Sequence, residues 1–126
     1  MITRYRKNQR KIAMGLLSFH QNLKEQQHLL KELDTYEEDN NYQLFCYYHE
    51  GESANVQGLI GISIENDNEI VLQDISLNPS YRGERIGFQM LDELQFLFSG
   101  QKILATKTTA DFLSHWHESK KEATNE

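Results

Sequence analysis

The stretch Leu77-Asn78-Pro79-Ser80-Tyr81-Arg82-Gly83-Glu84-Arg85-Ile86-Gly87 has the clearest chemical potential in this chain. It reads as the end of a strand, a tight loop and the start of a helix. The first backbone N–H groups of a helix have no internal acceptor and lie at the positive end of its dipole, so a diphosphate can accept from several at once. The glycines of the loop let the backbone approach such a group closely. Just upstream, the apolar parity changes: Ile70 and Leu72 occupy even positions, Ile75 and Leu77 odd ones. A β-bulge near Gln73 and Asp74 would absorb the extra residue and bend the strand beside a ligand site. A strand buried on both faces is the alternative.

These residues need elements to hold them. Residues 2–7 favour a short strand, and Ile12, Leu16 and Phe19 keep helical spacing through a helix over 11–19. Leu23, Gln26, Leu30 and Leu33 mark a second helix, which the acidic, Asn-rich stretch 36–41 ends. Strands follow at 42–49, 56–65 and 69–78, in antiparallel succession, and the last stops at Pro79, which cannot donate to a ladder. A helix over 86–98 carries Ile86, Met90, Leu94 and Leu97 on one stripe, with Gly100 placed to cap it. A strand over 102–106 after that helix implies a parallel crossover unit. Last comes a short helix with Thr109 as N-cap and Phe112, Leu113 and Trp116 as its apolar face. The prediction is an α/β mixed sheet in the order β-α-α-β-β-β-α-β-α, one domain over 1–116, then a frayed polar tail over 117–126.

The 126 residues are 38 % hydrophobic and 25 % charged, enough for one modest core. A formal charge of −6 argues against a phosphate-backbone binder, so nucleic acid is not an expected partner. The basic N-terminus lacks the apolar core of a secretion signal and no run reaches membrane-span length, so a cytoplasmic protein without a membrane partner is expected. The single cysteine, Cys46, excludes an internal disulfide and a zinc site of paired thiolates; beside Leu44, Phe45 and Tyr47 it reads as core. The five histidines show no metal-ligand spacing, and no metal is expected. The run Glu37-Glu38-Asp39 is either a solvated face or an attractant for a cationic ligand.

With these elements in place, the loop resembles that of the GNAT superfamily of N-acetyltransferases, which reads Gln/Arg-x-x-Gly-x-Gly/Ala after a strand ending in a hydrophobic-x-Pro pattern. Arg82 and Gly87 match its first and last positions, the element order is the family's, and the parity break falls on its splayed strand. The blocks Lys11-Ile12-Ala13-Met14-Gly15-Leu16-Leu17-Ser18-Phe19, Gln43-Leu44-Phe45 and Ile75-Ser76-Leu77-Asn78-Pro79-Ser80 are similar to a bacterial branch encoded with riboflavin-synthesis genes.

The resemblance implies acetyl-CoA as cosubstrate and an amine, small-molecule or protein, as acceptor. It places Ile75, Ser76 and Leu77 on the pantetheine arm, with a polarising N–H near Leu77 at the thioester. Arg82, Gly83, Glu84, Arg85, Ile86 and Gly87 fall at the diphosphate, Thr109 and Phe112 are also expected to bind the cofactor, and Thr106 or Thr109 lies near the position of an Asn that many members carry at the start of the final helix. Asp74 becomes the candidate base for the ammonium proton, provided burial raises its pKa; Glu69 is a weaker choice. Arg85 stands where the family has the loop's first glycine, so it either obstructs the approach or grips phosphate with its own fork. Leu113 lies near the position of the family's acidic tyrosine, with Ser114 and His115 as substitutes nearby. The fold's two closing strands have no counterpart after Trp116, which leaves the acceptor pocket open or completed by a second subunit as a homodimer. Beside the enzyme stand two other readings, a degenerate domain that binds CoA without turnover and an interaction module that binds none.

Overall fold

Residues 1–18, 26–48, 56–79 and 84–124 are described by a computed structural model. Five strands, β1 (Ile2–Arg4), β2 (Tyr42–Tyr47), β3 (Gly58–Asn66), β4 (Glu69–Leu77) and β5 (Lys102–Ala105), form one sheet in sequence order. All neighbours are antiparallel except β4 and β5, which run parallel as the crossover through a helix requires. Helices α1 (Arg10–Leu17) and α2 (Gln26–Glu38) precede β2, α3 (Glu84–Leu97) joins β4 to β5, and α4 (Ala110–Thr124) closes the described chain. This is the predicted order, with an added 3-10 turn at Lys7–Gln9 where the first strand was expected to end.

The two faces of the sheet have separate cores. Against α3 and α4 lie Phe45, Ile60, Ile62, Ile70, Leu72 and Ile103, packed with Met90, Leu91, Leu94, Leu113 and Trp116. Against α1 and α2 lie Leu44, Cys46 and Leu59, packed with Ala13, Leu16, Leu17, Leu29, Leu33 and Tyr36. Cys46 is thus a core residue, its thiol pushed up to about 11 by burial.

Two helix faces are shifted from their predicted stripes: Ile12 and Leu30 are exposed, while Ala13 and Leu29 are buried beside them. In α3 the predicted stripe does face the core at Met90 and Leu94, with Leu91 beside it, and only Leu97 at its end is exposed. Each of α1 and α2 carries apolar residues at two adjacent positions, and periodicity cannot choose between neighbouring stripes that both repeat at about 3.6 residues. Helix α2 also runs through Tyr36 to Glu38, past the predicted break. Helix α4 continues to Thr124, well beyond Trp116; Lys120, in the predicted frayed stretch, pairs with Asp92 at 3.1 Å and lies 4.7 Å over the Trp116 ring. Gly100 lies three residues past the end of α3, in a turn closed by the Gln101 N–H on the Phe98 carbonyl at 3.1 Å, at φ +85°, a conformation that glycine adopts freely. Phe19, Leu23 and His49 of the predicted elements lie outside the described residues.

Candidate active site

The site starts from a change of register. Gly61 of β3 faces Asp74, whereas its neighbour Ile62 faces Leu72, so Gln73 is the extra residue of a bulge. Its amide donates to Ser63 Oγ at 2.9 Å. Both readings of the parity switch hold together: the strand bulges, and it is covered on both faces. Ile70 and Leu72 pack toward α3 and α4, as do Ile75 and Leu77 beyond the bulge. Asp74 and Ser76 are buried, and Asp74 is turned to α2.

At the same point the parallel pair comes apart. The pairing of β4 with β5 covers Glu69 to Leu72 against Lys102 to Ala105, and β4 then runs on to Leu77 with β3 beside it. A turn braces the fork: the Thr109 hydroxyl donates to the Leu72 carbonyl at 2.8 Å and accepts the Thr106 N–H at 3.0 Å. Thr109 stands just before α4 and its carbonyl accepts the Leu113 N–H, but its hydroxyl is spent on the fork and not on a helix N–H. Only 2 % of Thr109 is exposed, so its hydroxyl does not line an open groove.

Beyond the fork, the β5-facing edge of β4 has no strand partner among the described residues. Buried backbone groups need partners, so an extended polar ligand fits there. The Ser76 hydroxyl, 6 % exposed and without a protein partner, is a further unmet polar group on the same segment. Helix α3 begins soon after Leu77, with Glu84, Arg85, Ile86 and Gly87 in its first turn. Arg85 is exposed and Ile86 half-buried. Arg82 and Gly83 lie outside the described residues.

Gly87 has a packing role that the loop motif does not suggest. A Cβ there would fall 2.4 Å from Phe112 Cζ, and the Phe112 ring lies 5.3 Å from that of Phe88. The bare backbone seats α4 against α3, and the half-buried Phe112 fills the space above Gly87. Gly87→Ala should cost about 1–3 kcal/mol through overpacking, set against about 1 gained in helix propensity. Urea unfolding should therefore show a net loss of up to about 2 kcal/mol, recovered when Phe112→Leu is added. A stabilised single variant would contradict this packing.

Asp74 lies under α2. Its carboxylate accepts the Tyr36 hydroxyl and is hydrogen-bonded to Glu32, one turn earlier on that helix. Burial pushes the Asp74 carboxyl up, only in part opposed by those hydrogen bonds. Tyr36 is raised well above the usual phenol range by burial and by Asp74. Neither Glu32 nor Tyr36 stood out in the sequence, although their i, i+4 spacing puts both on one helix face. The signal was masked because Tyr36 opens an acidic, Asn-rich stretch.

The other candidates are placed apart from this centre. Glu69 lies at the far end of β4 and accepts from Asn66 at 2.9 Å. Glu37 is tied to Arg10 and to the Tyr5 hydroxyl, each at 2.7 Å, while Glu38 and Asp39 are exposed. Leu113 is core; Ser114 and His115 are exposed on α4. Among the described residues no cluster of His, Cys, Asp and Glu could hold a metal, and no helix is long and apolar enough to cross a membrane.

A mixed sheet whose parallel pair forks before a helix N-terminus, with two helices on each face, is the architecture of the N-acetyltransferases. The chain aligns with an aminoglycoside 6'-N-acetyltransferase complexed with coenzyme A at a TM-score of 0.62 and 15 % identity, over 79 % of this chain and 55 % of that one. It thus spans little more than half the length of that enzyme. Mutant forms of the spermidine/spermine N-acetyltransferase SpeG from Vibrio cholerae align at a TM-score of 0.69 and 14 % identity, covering 94 % of this chain and 76 % of theirs. These likenesses establish the fold. The chain belongs to the acetyltransferase (GNAT) family, whose profile matches residues 12–114. It is also 36 % identical over 113 residues to an uncharacterized N-acetyltransferase in the lysA 3' region of Bacillus methanolicus, covering 90 % of this chain and 92 % of that one.

Proposed function

We propose that this protein transfers the acetyl group of acetyl-CoA to a cationic amine. The observation that carries the reading is the fork at Leu72, beyond which the β4 edge has no strand partner among the described residues just before the first turn of α3. Bound there, acetyl-CoA supplies an activated thioester. The backbone at Ile75, Ser76 and Leu77 holds the extended arm, and an N–H near Leu77 polarises the carbonyl by position and charge. The loop through Arg82 and Gly83 and the amides of Glu84, Arg85, Ile86 and Gly87 receive the diphosphate. The exposed Arg85 grips phosphate, Thr109 braces the fork and Phe112 backs Gly87. Asp74 is the base, because its burial supplies the raised pKa that an ammonium proton acceptor needs.

Structural neighbours named for aminoglycosides and for spermidine support an amine acceptor, and the buried Asp74 carboxyl with the half-buried Glu32 beside it supports a cationic one. The blocks at residues 11–19, 43–45 and 75–80 support a narrower kinship with RibT, the acetyltransferase-like protein encoded with bacterial riboflavin-synthesis genes. A cytoplasmic location follows from that kinship. One observation favours a second reading, a domain that binds CoA without turnover: the buried Leu113 occupies the place where the resemblance expects an acidic tyrosine.

Thermal shift with acetyl-CoA and with CoA, followed by thiol release over a panel of polyamines, aminoglycosides and simple amines, separates the two. Stabilisation by both ligands with thiol release for at least one amine is expected. Stabilisation without release for any amine would leave the binding domain, and no stabilisation by either ligand would remove both readings.

A further inference from the structure

The cluster beneath α2 is built for more than holding one carboxylate. Gly61 lies opposite Asp74 across the β3–β4 ladder, and a Cβ on it would fall 2.1 Å from Tyr36 Oη and 2.5 Å from Cζ. The phenol therefore crosses the sheet over a bare backbone and ends on the Asp74 carboxylate. Its ring is steadied edge-on by Tyr42, with centroids 6.0 Å apart. Glu32, on the same face of α2, meets Asp74 from one turn away. Asp74 is 2 % exposed and Tyr36 5 %, whereas Glu32 is half-buried. Two carboxyls in hydrogen-bond contact cannot both ionise freely, so they hold one proton between them.

Building on the transferase reading, we propose that Glu32 and Asp74 act as a one-proton carboxyl pair, with Glu32 as the member that meets the acceptor and Tyr36 as the residue that positions Asp74. The geometry makes the division. Asp74 is sealed by the phenol and by the sheet, so a proton reaches it through Glu32. Glu32 and Tyr36, both from α2, are the groups that act on Asp74; Tyr42 of β2 acts on Tyr36. Gly61 brings no charge from β3, and Arg10 of α1 is taken up by Asp34 and Glu37. The phenol stays protonated throughout, as a donor must.

The proton count closes. An ammonium acceptor gives one N–H proton to the pair, which passes from one proton to two and from one negative charge to none. The nitrogen keeps the freed electron pair and attacks the thioester carbonyl; the C–S bond breaks with its electrons on sulfur. A second nitrogen proton ends on the leaving thiolate, and the pair releases the first to water through Glu32.

The test reads the pair without any acceptor. In carbon-13 NMR of the side-chain carboxyls, Glu32 and Asp74 should each titrate in two steps with shared midpoints, and Glu32→Gln should reduce Asp74 to one step. Tyr36→Phe should raise the Asp74 midpoint by about one pH unit, since it removes a hydrogen bond to the charged form. It should also move the acid limb of kcat/KM to higher pH by the same amount while the acetyl-CoA thermal shift stays unchanged. Two independent single-step titrations would overturn the pair. A loss of kcat/KM that is equal at every pH would overturn the positioning role of Tyr36. If wild-type protein fails to bind acetyl-CoA the transferase reading falls, and the carbon titration still decides whether the pair exists.

Discussion

Replacing Asp74 with Asn should lower acetyl transfer by about 10²–10⁴-fold in kcat/KM and at the same time raise stability at neutral pH. The first effect follows from losing the base, the second from burial. The folded-state pKa of Asp74 is raised above its unfolded value of about 3.9, so its stabilising contribution is present below that value and is lost as pH rises through the folded pKa. Above the folded pKa the wild type bears the whole cost of a buried charge. Asn keeps an acceptor for the Tyr36 hydroxyl and carries no charge. The stability difference between variant and wild type should therefore be negligible near pH 3, widen as pH rises from about 4, and level off above the raised pKa. Urea unfolding at a series of pH values measures it; a variant less stable than wild type at pH 7 would mean that Asp74 is not held as a costly buried acid. Unchanged transfer by a stable variant would remove it from the chemistry.

Trp116→Ala should have the largest effect on stability. Trp116 is 2 % exposed, packs among the sheet, α3 and α4, and donates from Nε1 to Asp92 at 3.0 Å. Truncating a buried Trp removes a large apolar surface and leaves a cavity, at about 3–5 kcal/mol. Trp116→Phe keeps most of the packing and loses the hydrogen bond, about 1 kcal/mol. Because α4 follows the Thr106–Thr109 turn that braces the fork, the Ala variant should also lose acetyl-CoA stabilisation, and the Phe variant should keep it. A loss below about 1 kcal/mol for Trp116→Ala would mean that α4 does not dock as described.

Much of the architecture was legible because it depends on short-range rules. Alternation of Ile60, Ile62 and Ile64 marks a strand, Pro79 ends a ladder, and Gly100 supplies the turn after a helix. The parity switch between Leu72 and Ile75 located the bulge because side chains on a strand alternate with period two, and an odd step is visible in the chain itself. Which helical stripe faces inward was not legible. Ile12 against Ala13 and Leu30 against Leu29 are choices made by the opposing surface.

The amino-acid sequence by itself determined the element order and the bulge at Gln73, both set by local periodicity and turn residues. Only the tertiary structure decided that Gly87 seats Phe112, that Thr109 braces Leu72, and that Glu32 and Tyr36 reach Asp74 from 42 and 38 positions away along the chain. Those relations arise when one face of a sheet meets one face of a helix, and such a meeting is a matter of shape and burial between segments, which no local pattern records.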